Sequence, residues 1–286
     1  MNFEIKRLTP GLYFVATPIG TARDITLRAL DVLASADVIA AEDTRSLRRL
    51  LEIHGVPLNG RQVLAYHDHS SAGARAKLIS HLEDGKSVAY ASEAGTPLIA
   101  DPGYHLAKDA AEAGHLVTTA PGASAVVSAL TLAGLPTDAF FFEGFLPSAK
   151  NARQTKLESL RDIPGTLVLY ESPKRLAEML KDAAKVLGGT RSAAVCREIT
   201  KRFEEVKRGD LNTLAEEIAA APVKGEIVVL IDRASAQELG QEDIEAAVLK
   251  ALETMSVRDA AETVAKATGA NKRKIYALAL DLKSSQ

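Results

Sequence analysis

Residues 87–103 read SVAYASEAGTPLIADPG, an apolar run followed by a loop rich in glycine and proline. The run Ser87–Ala91 has the length and composition of a buried strand, and a helical pattern begins near Tyr104. In the loop Ser92–Gly103, four of the twelve residues are glycine or proline, and two are carboxylates. Stiff polar loops that follow strands are where α/β proteins build ligand sites. The stretch therefore predicts a strand, a candidate site and a helix, in that order.

A regular alternation of strands and helices extends to both sides of this stretch. Strand-like runs at Gly11–Ala16 and Val38–Ala41 precede it, and another at Leu116–Thr118 follows, with helical patterns between them. Alternation at this spacing is typical of a largely parallel sheet with helices on both faces. The alternation of strands and helices starts again after Pro136. Strands are predicted at 140–142, 165–170, 193–197 and 226–232, and helices at 150–160, 174–187 and 211–220.

The C-terminal residues carry helix signals without strands. A helical pattern that begins at Ser256 breaks at Thr268–Asn271, where a glycine stands, and restarts at Lys272. This order is typical of a helix-turn-helix, although unrelated small bundles share it. The chain is therefore expected to contain two α/β domains, residues 1–121 and 122–238, and a small all-helical unit, residues 239–286.

Composition and charge exclude several classes of protein. With 286 residues, 47% apolar and 25% charged, the chain has the composition of a globular protein of roughly two domains. The formal net charge of −2 provides no overall field for nucleic acid or a membrane, so any contact with RNA depends on local patches. No apolar run approaches the roughly 18 residues of a membrane span. A single cysteine, Cys196, cannot form an internal disulfide. These features predict a cytoplasmic protein with Cys196 in its core.

Two further turns rich in proline and glycine, Thr17–Gly20 and Pro121–Ser124, also follow apolar strands. In a parallel sheet these turns and the loop Ser92–Gly103 would meet at the carboxyl edge, where open α/β sheets bind ligands. The first turn lacks the lysine of a phosphate-binding P-loop, and neither Ser92 nor Ser124 lies in the elbow of a serine hydrolase. Ordinary strand-to-helix turns, with helix capping by a serine or aspartate, are the structural alternative.

Charged residues and histidines cluster in several short segments. Two runs, 171–175 and 197–205, follow strands of the second domain and predict either salt-bridged loops or a polar active-site wall. The segment Tyr66–His69 contains two histidines, but a metal is not expected because the sequence offers no clear third ligand. Two sets of basic residues each share a helical face, namely Arg45, Arg48 and Arg49, and Lys150, Arg153 and Lys156. Each face predicts either contacts with phosphate or a solvated surface.

Seven segments, taken in order, closely resemble the ribosomal RNA methyltransferase branch of the tetrapyrrole methylase superfamily. Each segment is a weak signal alone, but the ordered set is highly specific, and the resemblance covers nearly the whole chain. The segments are Thr17–Gly20, Ala41–Arg45, Ser92–Gly103, Pro121–Ala125, Glu143–Pro147, Tyr170–Pro173 and Arg197–Lys201.

The resemblance implies a cofactor, a reaction and an assembly. The cofactor is S-adenosylmethionine (SAM), held in a cleft between the two α/β domains. The reaction is 2′-O-methylation of a cytidine ribose in the decoding region of 16S rRNA within the small ribosomal subunit, and the assembly is a homodimer. The implied cofactor residues are Pro18, Gly20, Gly95, Thr96, Pro97, Ile99, Ser124, Ala125, Ser172, Gly225 and Glu226.

The chain departs from the usual pattern of that family at three places. Thr21 and Ala22 stand where the family usually has asparagine and leucine. Glu93 replaces the usual aspartate, which keeps the charge and adds a methylene group. Lys174 replaces the usual histidine, and its fixed positive charge would suit a phosphate-lined site.

The implied chemistry suggests which residues act on the substrate. A ribose 2′-hydroxyl is a weak nucleophile at neutral pH, so a base or a polarising cation should assist it. The catalytic candidates are Glu198 with Lys201, or Asp101. The candidate RNA contacts are Arg45, Arg48, Arg49, Lys150, Arg153, Lys174, Lys272, Arg273 and Lys274.

Two other functions stay open at this point. One is a tetrapyrrole C-methyltransferase of the same fold, which acts on a small macrocycle. The basic helices and the helical C-terminal unit argue against it, because a small substrate needs neither. The other is a non-catalytic RNA-binding factor that retains a SAM-like cleft. Binding of SAM would separate this factor from an enzyme.

Overall fold

The structure is a computed structural model that describes residues 3–67, 72–101, 103–234, 241–268 and 270–284. The chain forms two compact units, Met1–Ser128 with Ile199–Phe203, and Ala129–Glu198 with Glu204–Gln286. The C-terminal helices are grouped with the second unit, and the predicted bounds of a separate helical part stay a prediction. Each unit contains one sheet.

The first unit is built on a parallel sheet. Its helices are α1 Leu27–Ser35, α2 Thr44–His54, α3 Ala72–Glu83 and α4 Tyr104–Glu112, and α5 Ala125–Ala133 leads out of the unit. Its strands are β1 Gly11–Val15, β2 Val38–Ala41, β3 Val63–Ala65, β4 Ser87–Ala91 and β5 Val117–Ala120. Their order across the sheet is β3-β2-β4-β1-β5, and all pairs are parallel. The predicted parallel sheet is confirmed.

Helices cover both faces of this sheet, as predicted. Successive side chains of a strand point to opposite faces. Val15 of β1 packs in a cluster with Leu30 of α1. Its neighbour Phe14 packs in another cluster with Leu78 of α3 and Leu106 of α4. Both clusters are buried, so β1 and β4 lie inside the unit and their carboxyl ends are held firmly.

Local signals set the ends of the helices near the candidate site. The Thr26 hydroxyl accepts a hydrogen bond from Ala29 N at 3.1 Å and caps α1. Asp43 caps α2 by accepting from Arg45 N at 2.7 Å. Helix α2 ends at Gly55, whose φ of 67° is the left-handed conformation that glycine adopts without strain.

The second unit contains a mixed sheet. Its helices next to the sheet are α6 Lys150–Leu160, α7 Leu176–Leu187 and α8 Leu211–Ala220. Its strands are β6 Phe140–Phe145, β7 Thr166–Glu171, β8 Ser192–Arg197, β9 Glu205–Asp210 and β10 Ile227–Ile231. The order is β6-β7-β10-β8-β9, with β6 and β7 parallel and the other pairs antiparallel.

The sequence analysis missed β9 and the antiparallel pairing. Residues 197–205 were expected to form a charged loop, but β8 turns back within them and pairs with β9. A connection this short joins only antiparallel strands, because parallel strands need a crossover of a dozen or more residues. The alternation of strands and helices therefore describes the first sheet well and the second only in part.

The C-terminal residues form three helices, α9 Gln241–Leu252, α10 Val257–Thr268 and α11 Lys272–Ser284. They share a small core that includes Val248, Val264 and Ile275. The predicted helices on either side of residues 268–271 are confirmed, although Gly269 lies outside the described residues. Among the described helices, none is both long and apolar enough to cross a membrane.

Arg153 of α6 is a structural residue, and the prediction that it contacts RNA is wrong. Its side chain is 2% exposed, and its Nη2 lies 2.7 Å from Asp182 Oδ2 on α7. Burial disfavours the charged form of Asp182, but hydrogen bonds from Gln154 and Arg153 outweigh this and lower its pKa. The spacing of basic residues along α6 could not reveal that this position faces α7. Lys150, one turn earlier, is exposed.

We expect Asp182→Asn to lower the free energy of unfolding by about 3 kcal/mol, because it leaves a buried guanidinium without its counter-charge. Urea denaturation of the full chain, followed by circular dichroism, measures the change. Glu178→Gln is the matched control, since Glu178 lies 3.7 Å from the same guanidinium but is 77% exposed. That control should change stability by less than about 1 kcal/mol. Equal effects of the two variants would contradict the role given to Asp182.

Candidate active site

The three turns rich in glycine and proline lie side by side at the carboxyl edge of the first sheet. They follow β4, β1 and β5, which are neighbours in that order. Thr17 N donates to Gly95 O at 2.9 Å, and Gly95 N donates to Thr17 O at 3.0 Å. Thr96 Oγ1 donates to Ala123 O at 2.9 Å. The turns Thr17–Gly20, Ser92–Gly103 and Pro121–Ser124 are thus joined into one surface, which we call the joined turns.

The topology of the sheet opens a crevice at this edge. The chain leaves β1 towards β2 on one side and leaves β4 towards β5 on the other, although β1 and β4 are adjacent. Neighbouring strands whose connections leave in opposite directions mark the usual ligand site of an open α/β sheet. The joined turns therefore occupy the position that the sequence predicts for a ligand.

The loop after β4 is held in an unusual conformation. Ser92 Oγ donates to Gly95 O at 2.6 Å, which uses the hydroxyl inside the turn. Gly95 has a φ of 85°, and a Cβ there would lie 3.1 Å from Ile19 Cγ2. Leu98 and Ala100 also have positive φ, 71° and 59°. Backbone strain of this kind clusters at functional sites, where surrounding structure sustains it.

The predicted cofactor residues of the first unit differ in exposure. Pro97 is buried and shapes the turn from within, whereas Ile99 is 40% exposed and Gly20 is exposed. Gly95 is buried, and the remaining members, Pro18, Thr96, Ser124 and Ala125, are partly buried. Asp101 follows the strained Ala100 and is also partly buried. Helix α4 is capped at Gly103.

Lys201, a catalytic candidate, lies beside the first turn. Residues Ile199–Phe203 belong to the first unit. A Cβ on Gly20 would lie 2.6 Å from Lys201 Cγ and 2.5 Å from Thr200 Oγ1. Thr21 N donates to Thr200 Oγ1 at 3.3 Å. Gly20 is therefore required for this close approach, which places a lysine at the carboxyl edge of β1.

Glu198, another catalytic candidate, lies against Gly225 and Glu226 in the second unit. Glu198 Oε1 accepts from Glu226 N at 2.9 Å, and Glu198 N donates to Glu226 O at 2.9 Å. Gly225 has a φ of 99°, and a Cβ there would lie 2.5 Å from the Glu198 carboxyl carbon. The carboxylate of Glu198 therefore holds the backbone of two residues that the resemblance assigns to the cofactor.

The two charged runs, 171–175 and 197–205, contain salt bridges, which is one of the two arrangements that the sequence predicts for them. Glu171 is buried, and its Oε2 lies 3.3 Å from Arg175 Nη2. Ser172, a predicted cofactor residue, accepts hydrogen bonds from the backbone at the start of α7. Lys174 is exposed. In the other run, Arg197 Nε lies 3.1 Å from Glu205 Oε2 across β8 and β9.

An open groove of about 640 Å³ lies in the first unit between the joined turns and α2. Its basic members are Arg45, which is 91% exposed and 3.4 Å from Asp43, and Arg49, which is 2.7 Å from Glu52. The sequence predicts these arginines as RNA contacts and Pro18 and Gly20 as cofactor residues, but it does not predict that they line one groove. The other residues that line the groove are Thr17, Ala22, Asp43, Ser46, Leu47, Leu50, Ile53, Ser92 and Glu93.

The other predicted RNA contacts lie elsewhere on the surface. Arg48 is exposed on α2, and its side chain has no ion pair among the residues that the structure describes. Lys272 Nζ lies 2.6 Å from Glu262 Oε2, which partly neutralises it. Arg273 and Lys274 are exposed in the first turn of α11. This N-terminal turn therefore presents two cations to solvent.

Cys196 is buried, whereas the histidine segment lies partly outside the described residues. Cys196 is fully buried, and burial raises its pKa to about 11, so the predicted place in the core is confirmed. Asp68 and His69 of the histidine segment lie outside the described residues. Within the described ranges, no group of three or more histidine, cysteine, aspartate or glutamate side chains is placed to hold a metal ion.

Comparison with known proteins identifies the family. The family model of the tetrapyrrole (corrin/porphyrin) methylases matches residues 11–215, and that of the RsmI C-terminal HTH domain matches residues 238–283. A protein of Mesorhizobium japonicum named ribosomal RNA small subunit methyltransferase I is 48% identical over 97% of this chain and 94% of its own. This chain belongs to that family. A member from Pseudomonas aeruginosa is 41% identical over 94% of this chain and 96% of its own.

Solved structures confirm the fold of this methyltransferase. The uroporphyrin-III C-methyl transferase of Thermus thermophilus, complexed with S-adenyl homocysteine, covers 78% of this chain and 97% of its own. Its TM-score is 0.55 and its identity 17%, so the likeness concerns the fold alone. Identity above 40% is instead found with the ribosomal RNA methyltransferases. The chain is therefore a SAM-dependent methyltransferase. Its likeness to the tetrapyrrole methyltransferase extends to the fold and not to the substrate.

The residues at the joined turns fit the cofactor of this family. SAM carries an adenosine and an amino-acid moiety, which need backbone hydrogen-bonding groups at close range. Gly20 and Gly95 lack a Cβ at places where one would meet other atoms within 3.1 Å. These glycines let the chain pass close to its neighbours and keep the turns free of side chains at two points. A ligand that is read by backbone groups suits such a surface.

Proposed function

We propose that this methyltransferase transfers a methyl group from SAM to the 2′-hydroxyl of a cytidine in the decoding region of 16S rRNA. One observation carries the proposal: in the first unit, the joined turns border a groove that is lined by Arg45 and Arg49. The exposed guanidinium of Arg45 suits a phosphate of RNA. The relatives named for ribosomal RNA support the same substrate class. The proposal includes a homodimer that acts in the cytoplasm.

We assign cofactor binding first to the joined turns, with Gly95 at their centre. Thr96 ties this turn to the third, and the strained backbone at Leu98 and Ala100 sets the course of the loop. From the second unit we assign Ser172, Gly225 and Glu226. The full set in the first unit is Pro18, Gly20, Gly95, Thr96, Pro97, Ile99, Ser124 and Ala125.

The transfer needs an aligned nucleophile and a place for its proton. The ribose oxygen attacks the methyl carbon, the bond from that carbon to sulfur breaks, and S-adenosylhomocysteine leaves. Holding the two reactants in line contributes several kcal/mol through proximity. Lys201, beside Gly20, is our candidate for polarising the hydroxyl, and Asp101 is our candidate for the base. Glu198 acts as a positioning residue, because its carboxylate binds Glu226 N.

The decisive experiment offers labelled SAM and the purified protein to small ribosomal subunits and, separately, to naked 16S rRNA. Digestion of the RNA to nucleosides should yield labelled 2′-O-methylcytidine, and fragment analysis by mass spectrometry maps its position. Label in a base, or in another nucleoside, would contradict the proposal. Binding of SAM without transfer to either RNA would contradict it too, and calorimetry that detects no SAM binding would favour a non-catalytic RNA-binding factor.

A glycine pair tests the cofactor assignment. Gly95→Ala should weaken SAM binding at least about tenfold, because the new methyl group meets Ile19 and distorts the turn. Gly114→Ala is the matched control, since Gly114 has a similar φ of 79° but open space around its Cβ. Both variants carry the strain of alanine at positive φ. Calorimetric titration with SAM that gives equal affinities for the two variants would overturn this assignment.

Substitutions at Glu198 separate positioning from base catalysis. Glu198→Gln keeps a carbonyl oxygen that accepts from Glu226 N, so its kcat should stay within about threefold of wild type. Glu198→Ala loses this acceptor, and its KM for SAM should rise. Steady-state kinetics at saturating RNA measure both constants. A kcat that falls about 100-fold or more in Glu198→Gln, as loss of a general base predicts, would show that the carboxylate itself takes the proton.

Arg48 tests the RNA surface. Arg48→Glu should weaken binding to the small subunit and reduce the slope of log affinity against log salt by about one, because it removes one phosphate contact. Lys185→Glu on α7 is the control, as Lys185 is also exposed but was not assigned to RNA. Filter binding across a range of salt concentrations measures both. Identical slopes for the two variants would remove Arg48 from the RNA surface.

A further inference from the structure

We propose that Glu93 selects cytidine, by accepting a hydrogen bond from the exocyclic amine of the base when the acceptor nucleotide lies in the groove beside α2. The inference rests on the proposed function and adds to it the residue that reads the base. It makes Glu93 a specificity residue, distinct from the residues assigned to SAM and from those assigned to the proton.

The backbone of Glu93 is held by two residues, one after each of the neighbouring strands. Glu93 N donates to Glu42 Oε2 at 3.2 Å, and Glu42 directly follows β2. Glu93 O accepts from Thr17 Oγ1 at 3.3 Å, and Thr17 follows β1. The residue is therefore fixed in place at the carboxyl edge, although its side chain is exposed. A side chain that recognises a ligand needs a rigidly held backbone and an accessible terminal group.

Of the two carboxylates that line the groove in the described part of the chain, that of Glu93 is the one left for a ligand. The other carboxylate that lines the groove, Asp43, accepts from Arg45 N at 2.7 Å and lies 3.4 Å from the guanidinium of Arg45. Glu42 is used by the backbone of Glu93. Within the described residues, the side chain of Glu93 makes no hydrogen bond or ion pair. Its accepting capacity is therefore unused by the fold.

The groove has the size and chemistry for one nucleotide. About 640 Å³ lies in the usual range for small-molecule sites. Leu50 and Ile53 of α2 give it an apolar wall against which a base can lie, and the exposed guanidinium of Arg45 suits a phosphate. Thr17, Gly20 and Ser92 line the same groove, so it borders the joined turns. A nucleotide here would lie next to the residues assigned to the cofactor.

The chemistry of Glu93 favours cytosine over uracil. Cytosine carries an amine donor at position 4, where uracil carries a carbonyl acceptor. An ionised carboxylate only accepts hydrogen bonds, so it pairs with the amine and repels the carbonyl. An aspartate at this position would carry the same acceptor on a shorter arm. Either acid would therefore read the amine.

The test measures the ratio of kcat/KM for small subunits assembled with cytidine or with uridine at the mapped acceptor position. Wild type should prefer cytidine at least about tenfold, as one base contact of this type allows. Glu93→Gln, whose amide both donates and accepts, should lower the preference about tenfold. Glu93→Asp should keep the preference at a lower rate. Glu83→Gln, an exposed acid on α3 that does not line the groove, should behave as wild type.

Two results would overturn the inference while the proposed function stands. One is an unchanged cytidine preference in Glu93→Gln together with normal transfer by wild type. The other is a loss of SAM affinity in Glu93→Gln by calorimetry, which would place Glu93 in the cofactor site. If wild type methylates no cytidine in either subunit, the proposed function fails and the inference falls with it. Thermal melting of each variant verifies that the exposed substitutions leave the fold intact.

Discussion

The exchange of two backbone hydrogen bonds between Thr17 and Gly95 is the contact on which the candidate site depends. It joins the chain after β1 to the chain after β4, just beyond the point where their ladder ends at Val15 and Ala91. Glycine is favoured at position 95, because L side chains rarely adopt a φ of 85° and a Cβ would lie only 3.1 Å from Ile19 Cγ2. The third turn is tied to this pair through Thr96. The strained loop after β4 is thereby held by its neighbours.

The second unit organises its candidate residues differently. There, carboxylates hold the backbone, because Glu198 Oε1 accepts from Glu226 N and Glu171 Oε1 accepts from Ser172 N. A carboxylate that accepts from a backbone amide is already occupied, which weakens its candidacy as a base. For this reason the geometry favours Glu198 as a positioning residue, although the sequence treats it as orienter or base.

Much of the fold is readable from local sequence signals. Helices α6 and α8 have the bounds that their sequence predicts. The analysis missed β3 and β9 for physical reasons. Strand β3 has three residues, too few for a period to appear. Strand β9 is rich in charged residues, so it lacks the hydrophobic pattern by which a strand is recognised in sequence. It forms because its backbone pairs with β8.

The sequence by itself determined the α/β class, the three turns and the family, because glycine, proline and apolar periods act within a few residues of themselves. Tertiary structure alone decided which of these parts meet. Strand order placed the turns after β4, β1 and β5 side by side, and the packing of α6 against α7 buried Arg153, which sequence spacing had assigned to RNA. It also left Glu93 exposed between two strands that hold its backbone. Contacts between residues distant in sequence depend on which faces pack together, and local patterns do not contain that information.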